Sequence, residues 1–261
     1  MTGNDLRFYL HCLNRDISNF SYLRHRNFDG FIISMHQSGT HWLKYMLSLA
    51  ITYDKGLPPP DHIAHSIVIG DPKKPAEVQV KPSIALSHAI LMPLFHMALR
   101  RTNNASPRYL VLVRKWADVY QCTFAEYLQG DPLNNRFDKD LWWDIRFLNR
   151  WGDIIGRYPE QVKIIRYEEL SANTANVLTA AIDHLGIKLE NKNTAIDFAL
   201  AEATKNKMAA RELKKDQLQI VRDENRSWSE WYTDDLKVVF SNMCRLYLKH
   251  SFFYDYENWE S

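Results

Sequence analysis

Cysteine is scarce in this chain. The three residues, Cys12, Cys122 and Cys244, lie far apart and are odd in number, so neither a disulfide framework nor a CxxC metal site is indicated. Excess charge of one sign is also missing: 33 basic residues against 31 acidic ones leave +2. That bias is too weak to argue for nucleic acid or an anionic membrane as partner, and any anion must be met by local groups. No apolar run reaches the roughly 18 residues of a membrane span, and no N-terminal stretch has the order of a signal peptide. With few cysteines as well, a soluble protein in the cytoplasm is the expectation. No Gly/Ser-rich linker, low-complexity tract or internal repeat divides the 261 residues, which favours a single domain over 1–261.

What is present is ordinary in bulk and patterned in detail. Hydrophobic residues make up 46% and charged residues 25%, enough to bury a sizeable core. Short runs rich in β-branched and aromatic residues read as buried strands: Gly30 to Met35, Ile84 to His88, Tyr109 to Arg114 and Val162 to Tyr167. Helical spacing follows in Thr40 to Leu49, Leu94 to Arg101, Ala117 to Leu128, Leu141 to Tyr158, Thr174 to Leu185 and Asp234 to Leu248. Prolines at 58–60, 72 and 75 predict irregular surface chain between the first two strands. Thr204 to Gln219 is polar with weak periodicity. Strand and helix in alternation predict an α/β fold, a mostly parallel sheet covered on both faces, with ligands at the carboxyl ends of its strands.

Three polar stretches follow apolar strands and so fall on one rim. In His36-Gln37-Ser38-Gly39-Thr40-His41-Trp42, a glycine-containing loop feeds a helix, and converging N–H groups with the positive end of a helix dipole make a phosphate cradle. The same spacing also suits an ordinary βα turn capped by Ser38 or Thr40. Ser87-His88 and Arg114 complete the rim. A neutral imidazole is a natural general base, and a guanidinium fork matches phosphate oxygens.

The first segment resembles the 5′-phosphosulfate loop of cytosolic-type and bacterial small-molecule sulfotransferases, Tyr-Pro-Lys-Ser-Gly-Thr-Thr-Trp. These enzymes use 3′-phosphoadenosine-5′-phosphosulfate (PAPS). The resemblance implies one αβα domain around a parallel sheet of about five strands, with a P-loop-like phosphate-binding loop. Ser38, Gly39 and Thr40 would hold the 5′-phosphate, and Trp42 would stack on adenine. Val113-Arg114-Lys115-Trp116-Ala117-Asp118-Val119 is similar to the family's Arg-Asn-Pro-Lys-Asp-Val, whose arginine grips the 3′-phosphate; Arg114 is the matching residue. The family's serine in that block falls on Cys122. Tyr167 matches a tyrosine that lines the nucleotide site. Arg222, with Arg226 beside it, matches a loop that closes over the 3′-phosphate. His88 takes the place of the histidine that removes the acceptor's proton.

The chain also departs from the family pattern. The loop lysine is Gln37, and a second lysine, two residues before the histidine, is Leu86. Gln37 can donate a hydrogen bond to the transferred group but cannot neutralise charge. His41, His36 and Lys44 are the nearby alternatives: Lys44 is expected to be solvated, and protonated His41 or the helix dipole is expected to carry part of the missing charge. Sulfuryl transfer to a hydroxyl or amine of a small molecule, with PAPS as co-substrate and no metal, is therefore the reading. A nucleotide-binding protein with degraded catalysis is a second one. A P-loop kinase is a third, although GxxxxGK(S/T) is absent. The oligomeric state is left open.

Overall fold

The computed structural model describes residues 10, 13–14, 16–18, 20–35, 38–91, 93–102, 107–115, 137–211 and 234–256. Helix α1 (Tyr22–His25) precedes strand β1 (Gly30–Ser34), helix α2 (Thr40–Asp54), the two-residue strand β2 (Ile69–Gly70) and β3 (Ile84–Ser87). Then come α3 (Pro93–Thr102), β4 (Arg108–Val113), α4 (Phe137–Arg157), β5 (Val162–Arg166), α5 (Tyr167–Ala172) and α6 (Thr174–Leu185). Helices α7 (Lys192–Glu202), α8 (Lys205–Ala210) and α9 (Asp234–Tyr247) follow.

The strands form one five-stranded sheet in the order β2-β3-β1-β4-β5, and every pairing is parallel. Parallel strands are buried on both faces, so they read as continuous apolar runs rather than as alternating ones. Alternate residues then supply two different cores. Phe31 and Ile33 of β1 and Tyr109, Val111 and Val113 of β4 pack with Leu99 of α3, Trp143, Phe147 and Trp151 of α4 and Phe240 of α9. Ile32, Leu110 and Leu112 face the other way, against Leu43, Met46 and Leu47 of α2, Ile182 of α6 and Ala199 of α7. Each fully buried aliphatic side chain contributes about 1.5–3 kcal/mol by leaving water. The result is three layers, with helices on both sides of the sheet.

The proline-rich stretch after α2 departs from expectation. It has little regular structure, but it is not simply surface chain: Ile63, Ile67 and Val68 are buried, and Ile69 and Gly70 add an edge strand to β3. Helix α2 runs on to Asp54, five residues beyond the periodic apolar pattern; α7 occupies a stretch for which no element was expected, and α8 lies in the polar stretch of weak periodicity. The helix expected over 117–128 lies outside the described residues.

Candidate active site

Parallel pairing brings the carboxyl ends of β1, β3, β4 and β5 to one rim. In register, Ile33 sits beside Ser87, Ser34 beside Leu112, and Val113 beside Arg166. Ser38-Gly39-Thr40, His88, Arg114 and Tyr167 therefore leave the sheet side by side, although up to 129 residues separate them in sequence, counted from Ser38 to Tyr167.

Gly39 is the N-cap of α2 with φ +83°, in the left-handed region that favours glycine. Space demands it as well: a Cβ there would stand 2.6 Å from Cδ2 of Tyr167. Among the described residues no side-chain cap closes this helix end, and no acidic residue occupies its first turn, so its leading N–H groups present their positive end to the rim. Ser38 is fully buried and donates its hydroxyl to the Met35 carbonyl at 2.9 Å, with Thr40 Oγ1 at 3.4 Å. Its side chain thus shapes the corner from within. Nδ1 of His41 and Nε1 of Trp42 are buried without a hydrogen-bond partner among the described residues, two polar atoms in the first turn of α2 that a polar ligand would satisfy.

The Tyr167 ring ties the rim together. The Arg114 guanidinium carbon lies 4.1 Å above its centroid, a cation–π contact, and the Trp42 ring meets it edge-on at 6.4 Å. Beneath this stack, Glu168 accepts the backbone N–H of Lys115 at 3.1 Å and the hydroxyl of Tyr254 at 2.5 Å. One carboxylate so links the β4 exit, the start of α5 and the C-terminal segment. Sequence reasoning missed it, because nothing local in Tyr167-Glu168-Glu169 signals contacts 53 and 86 residues away.

His88 follows the last residue of β3 and turns toward β1. Its Nδ1 lies 2.8 Å from the Ser34 carbonyl oxygen and 3.1 Å from Ser34 Oγ. A carbonyl only accepts, so Nδ1 carries the proton in the neutral ring and Nε2 carries the lone pair. That tautomer is the one a general base working through Nε2 requires.

Two expectations about charge are corrected. Burial, the Lys44 ammonium and His88 together lower the His41 pKa to about 4, so its ring is neutral near pH 7. Lys44 is not solvated on the helix surface. It is 4% exposed, and its Nζ donates to the Ala64 carbonyl at 3.1 Å and to Ser66 Oγ at 2.9 Å; burial lowers its pKa to about 8. A fixed cation therefore stands one turn along α2 from the loop, while Leu86 is a half-buried residue of β3 packed against the α2-side core. His36, Gln37, Cys122, Arg222 and Arg226 lie outside the described residues. A cavity of about 420 Å³, lined by Arg24, Phe28, Val68, Val78 and Ser83, sits at the opposite, amino-terminal rim and is separate from this constellation.

The sequence matches no family model and no curated protein. Among solved structures, mouse sulfotransferase SULT7A1 complexed with PAP matches 86% of this chain and 86% of its own, with a TM-score of 0.59 and 15% identity. Retinol dehydratase in complex with androsterone and inactive cofactor PAP matches 85% of this chain and 80% of its own, with a TM-score of 0.56 and 14% identity. The five-stranded parallel sheet with its flanking helices is thus the sulfotransferase fold.

Proposed function

We propose that the chain moves a sulfuryl group from PAPS to a hydroxyl or amine of a small-molecule acceptor, with His88 as general base. The observation that carries this reading is the meeting, on one rim of a sulfotransferase fold, of an uncapped helix N-terminus, a guanidinium and a histidine in the Nδ1–H tautomer. The groups fit the nucleotide: the α2 amides suit a 5′-phosphate, Arg114 suits a 3′-phosphate, and the unpartnered His41 and Trp42 nitrogens await polar atoms. Bound PAPS supplies the sulfuryl group and a bisphosphate leaving group.

In this reading Nε2 of His88 takes the acceptor's proton as the new bond to sulfur forms, while Ser34 holds the ring through Nδ1. The electron pair of the broken sulfur–oxygen bond stays on the 5′-phosphate oxygen. There the α2 N-terminus faces the growing charge, with the buried Lys44 ammonium behind it. His88→Ala is expected to lower kcat by about 10²–10⁴, the usual contribution of a positioned base, with adenosine 3′,5′-bisphosphate affinity retained. Transfer of labelled sulfate from PAPS to a panel of phenols, alcohols and amines reads this directly; wild-type kcat in the variant would remove His88 from the chemistry.

The second reading, a nucleotide-binding protein with degraded catalysis, draws on Gln37 and Leu86 in place of lysines and on the neutral His41. Tight bisphosphate binding with no sulfonation across the whole panel would favour it over the enzyme.

A further inference from the structure

Behind the corner that presents His88, on the opposite face of the sheet, a second histidine holds the chain from inside the core. His25 ends helix α1, is 2% exposed, and packs its ring against Phe20 and Phe31 at centroid distances of 4.5 and 5.5 Å. Its Nδ1 lies 2.8 Å from the Ser21 carbonyl oxygen, an atom that can only accept, so the proton sits on Nδ1. The Ser21 N–H, at 3.4 Å from the same nitrogen, is the weaker approach. Burial, opposed in part by that carbonyl, lowers the pKa to about 4 and keeps the ring neutral.

The remaining polarities follow one from another. Nε2 of His25 must accept, so Ser87 Oγ, 2.9 Å away, donates to it. With its proton so directed, Ser87 Oγ accepts the Ala89 N–H at 3.2 Å. The Ala89 carbonyl in turn accepts Nε1–H of Trp151 at 3.1 Å. Ser87 and Ala89 are the two residues flanking His88, and β3 pairing fixes Ser87 beside Ile33. His88 is therefore flanked by two residues, and the Ser87 hydroxyl and the Ala89 N–H and carbonyl are engaged from the far side of the sheet.

We infer that His25 is a positioning residue for the transfer reaction, orienting His88 through the one-way chain His25, Ser87, Ala89. This rests on the reading of His88 as the base. A histidine that merely fills the core would matter through its ring, whereas this role needs one atom, the acceptor that receives the Ser87 hydroxyl. Two substitutions separate these. In His25→Gln the side-chain oxygen reaches the place of Nε2 and can accept from Ser87. In His25→Asn the shorter amide can still donate to Ser21 but cannot reach Ser87.

The test measures kcat, KM for PAPS, bisphosphate affinity and thermal melting for wild type, His25→Gln, His25→Asn, Ser87→Ala and His88→Ala, using the best acceptor from the phenol, alcohol and amine panel. Nitrogen-resolved spectra of ¹⁵N-histidine protein read the His88 tautomer without any acceptor. His25→Asn and Ser87→Ala are expected to lose roughly 10–100-fold in kcat, the scale of a small misplacement of a catalytic group. KM for PAPS and bisphosphate affinity should hold, and the His88 signal should move from one tautomer to a mixture. His25→Gln should recover most of the rate and the single tautomer. The inference is overturned if folded His25→Asn keeps wild-type kcat and one His88 tautomer, or if Gln loses as much as Asn. Loss of rate in His88→Ala with none in His25→Asn removes only the positioning role. Full rate in His88→Ala removes the base and this inference together.

Discussion

Gly39 concentrates the constraints on the site in one residue. Any side chain there meets a left-handed backbone, which costs an L-residue about 1–2 kcal/mol, and the ring of Tyr167. Gly39→Ala is therefore expected to destabilise the fold by about 1–3 kcal/mol in urea melts and to weaken bisphosphate binding. Adding Tyr167→Ala should return the clash component and leave the backbone component, so the pair should be non-additive. Additive losses would show that ring and glycine do not press on each other. Arg114 works beside them: its stacking on Tyr167 holds the guanidinium plane at the rim.

Helix α2 has two tasks: its first turn opens at the rim, and its middle anchors the chain after it. Lys44 makes that anchor by pinning residues 64–66 to the helix. Its folded pKa, about 8, lies below the ordinary lysine value of 10.5. The unfolded chain thus binds more protons between those limits, and stability rises with pH across that window and not below it. The rise is on the order of 3 kcal/mol. Buried tyrosines with raised pKa values, Tyr109, Tyr254 and Tyr256, oppose it near pH 10, so urea unfolding at pH 7.5 and 10.5 should show the rise as the difference between wild type and Lys44→Met; an equal pH response in both would place the ammonium in water. At this scale much was legible in sequence. The apolar runs of β1, β3, β4 and β5 announced themselves, since strands buried on both faces need no alternation. Helix α7 did not, because its buried face is short, Ala195, Ile196 and Ala199, and two of the three are alanines that carry little hydrophobic signal. Nor did β2, whose two residues are too few for a pattern. At the candidate site, the place of Gly39, His88, Arg114 and Tyr167 on the rim was legible because each lies at or just after a strand end or at a helix start. His25 and Glu168 could not, since their contacts span 62 and 86 residues and exist only once the sheet has formed.

For the whole molecule, buried histidines shape the response to acid. His25, His41 and His96 each have pKa values lowered to about 4, by burial first in every case, with Lys44 and His88 adding at His41 and Arg100 at His96. Unfolded, they titrate near 6.5, so the unfolded chain binds more protons as pH falls from about 6.5 to 4, and stability is lost through that window. Each contributes a slope approaching about 1.4 kcal/mol per pH unit. Melts from pH 7 to 4 should steepen accordingly, with His62 and His184, also lowered by burial first, adding to the slope, and His96→Gln should reduce it. An unchanged slope would mean that His96 is already charged in the folded state.

The rim as a nucleotide site is the claim on which the chemistry depends. Titration calorimetry of the full chain with adenosine 3′,5′-bisphosphate, without added metal, tests it most directly. Saturable one-to-one binding is expected in the wild type, weakened at least tenfold in Arg114→Ala, the scale of a lost charge-assisted phosphate contact. Absence of binding to the folded wild-type protein, or equal affinity in wild type and Arg114→Ala, would contradict it.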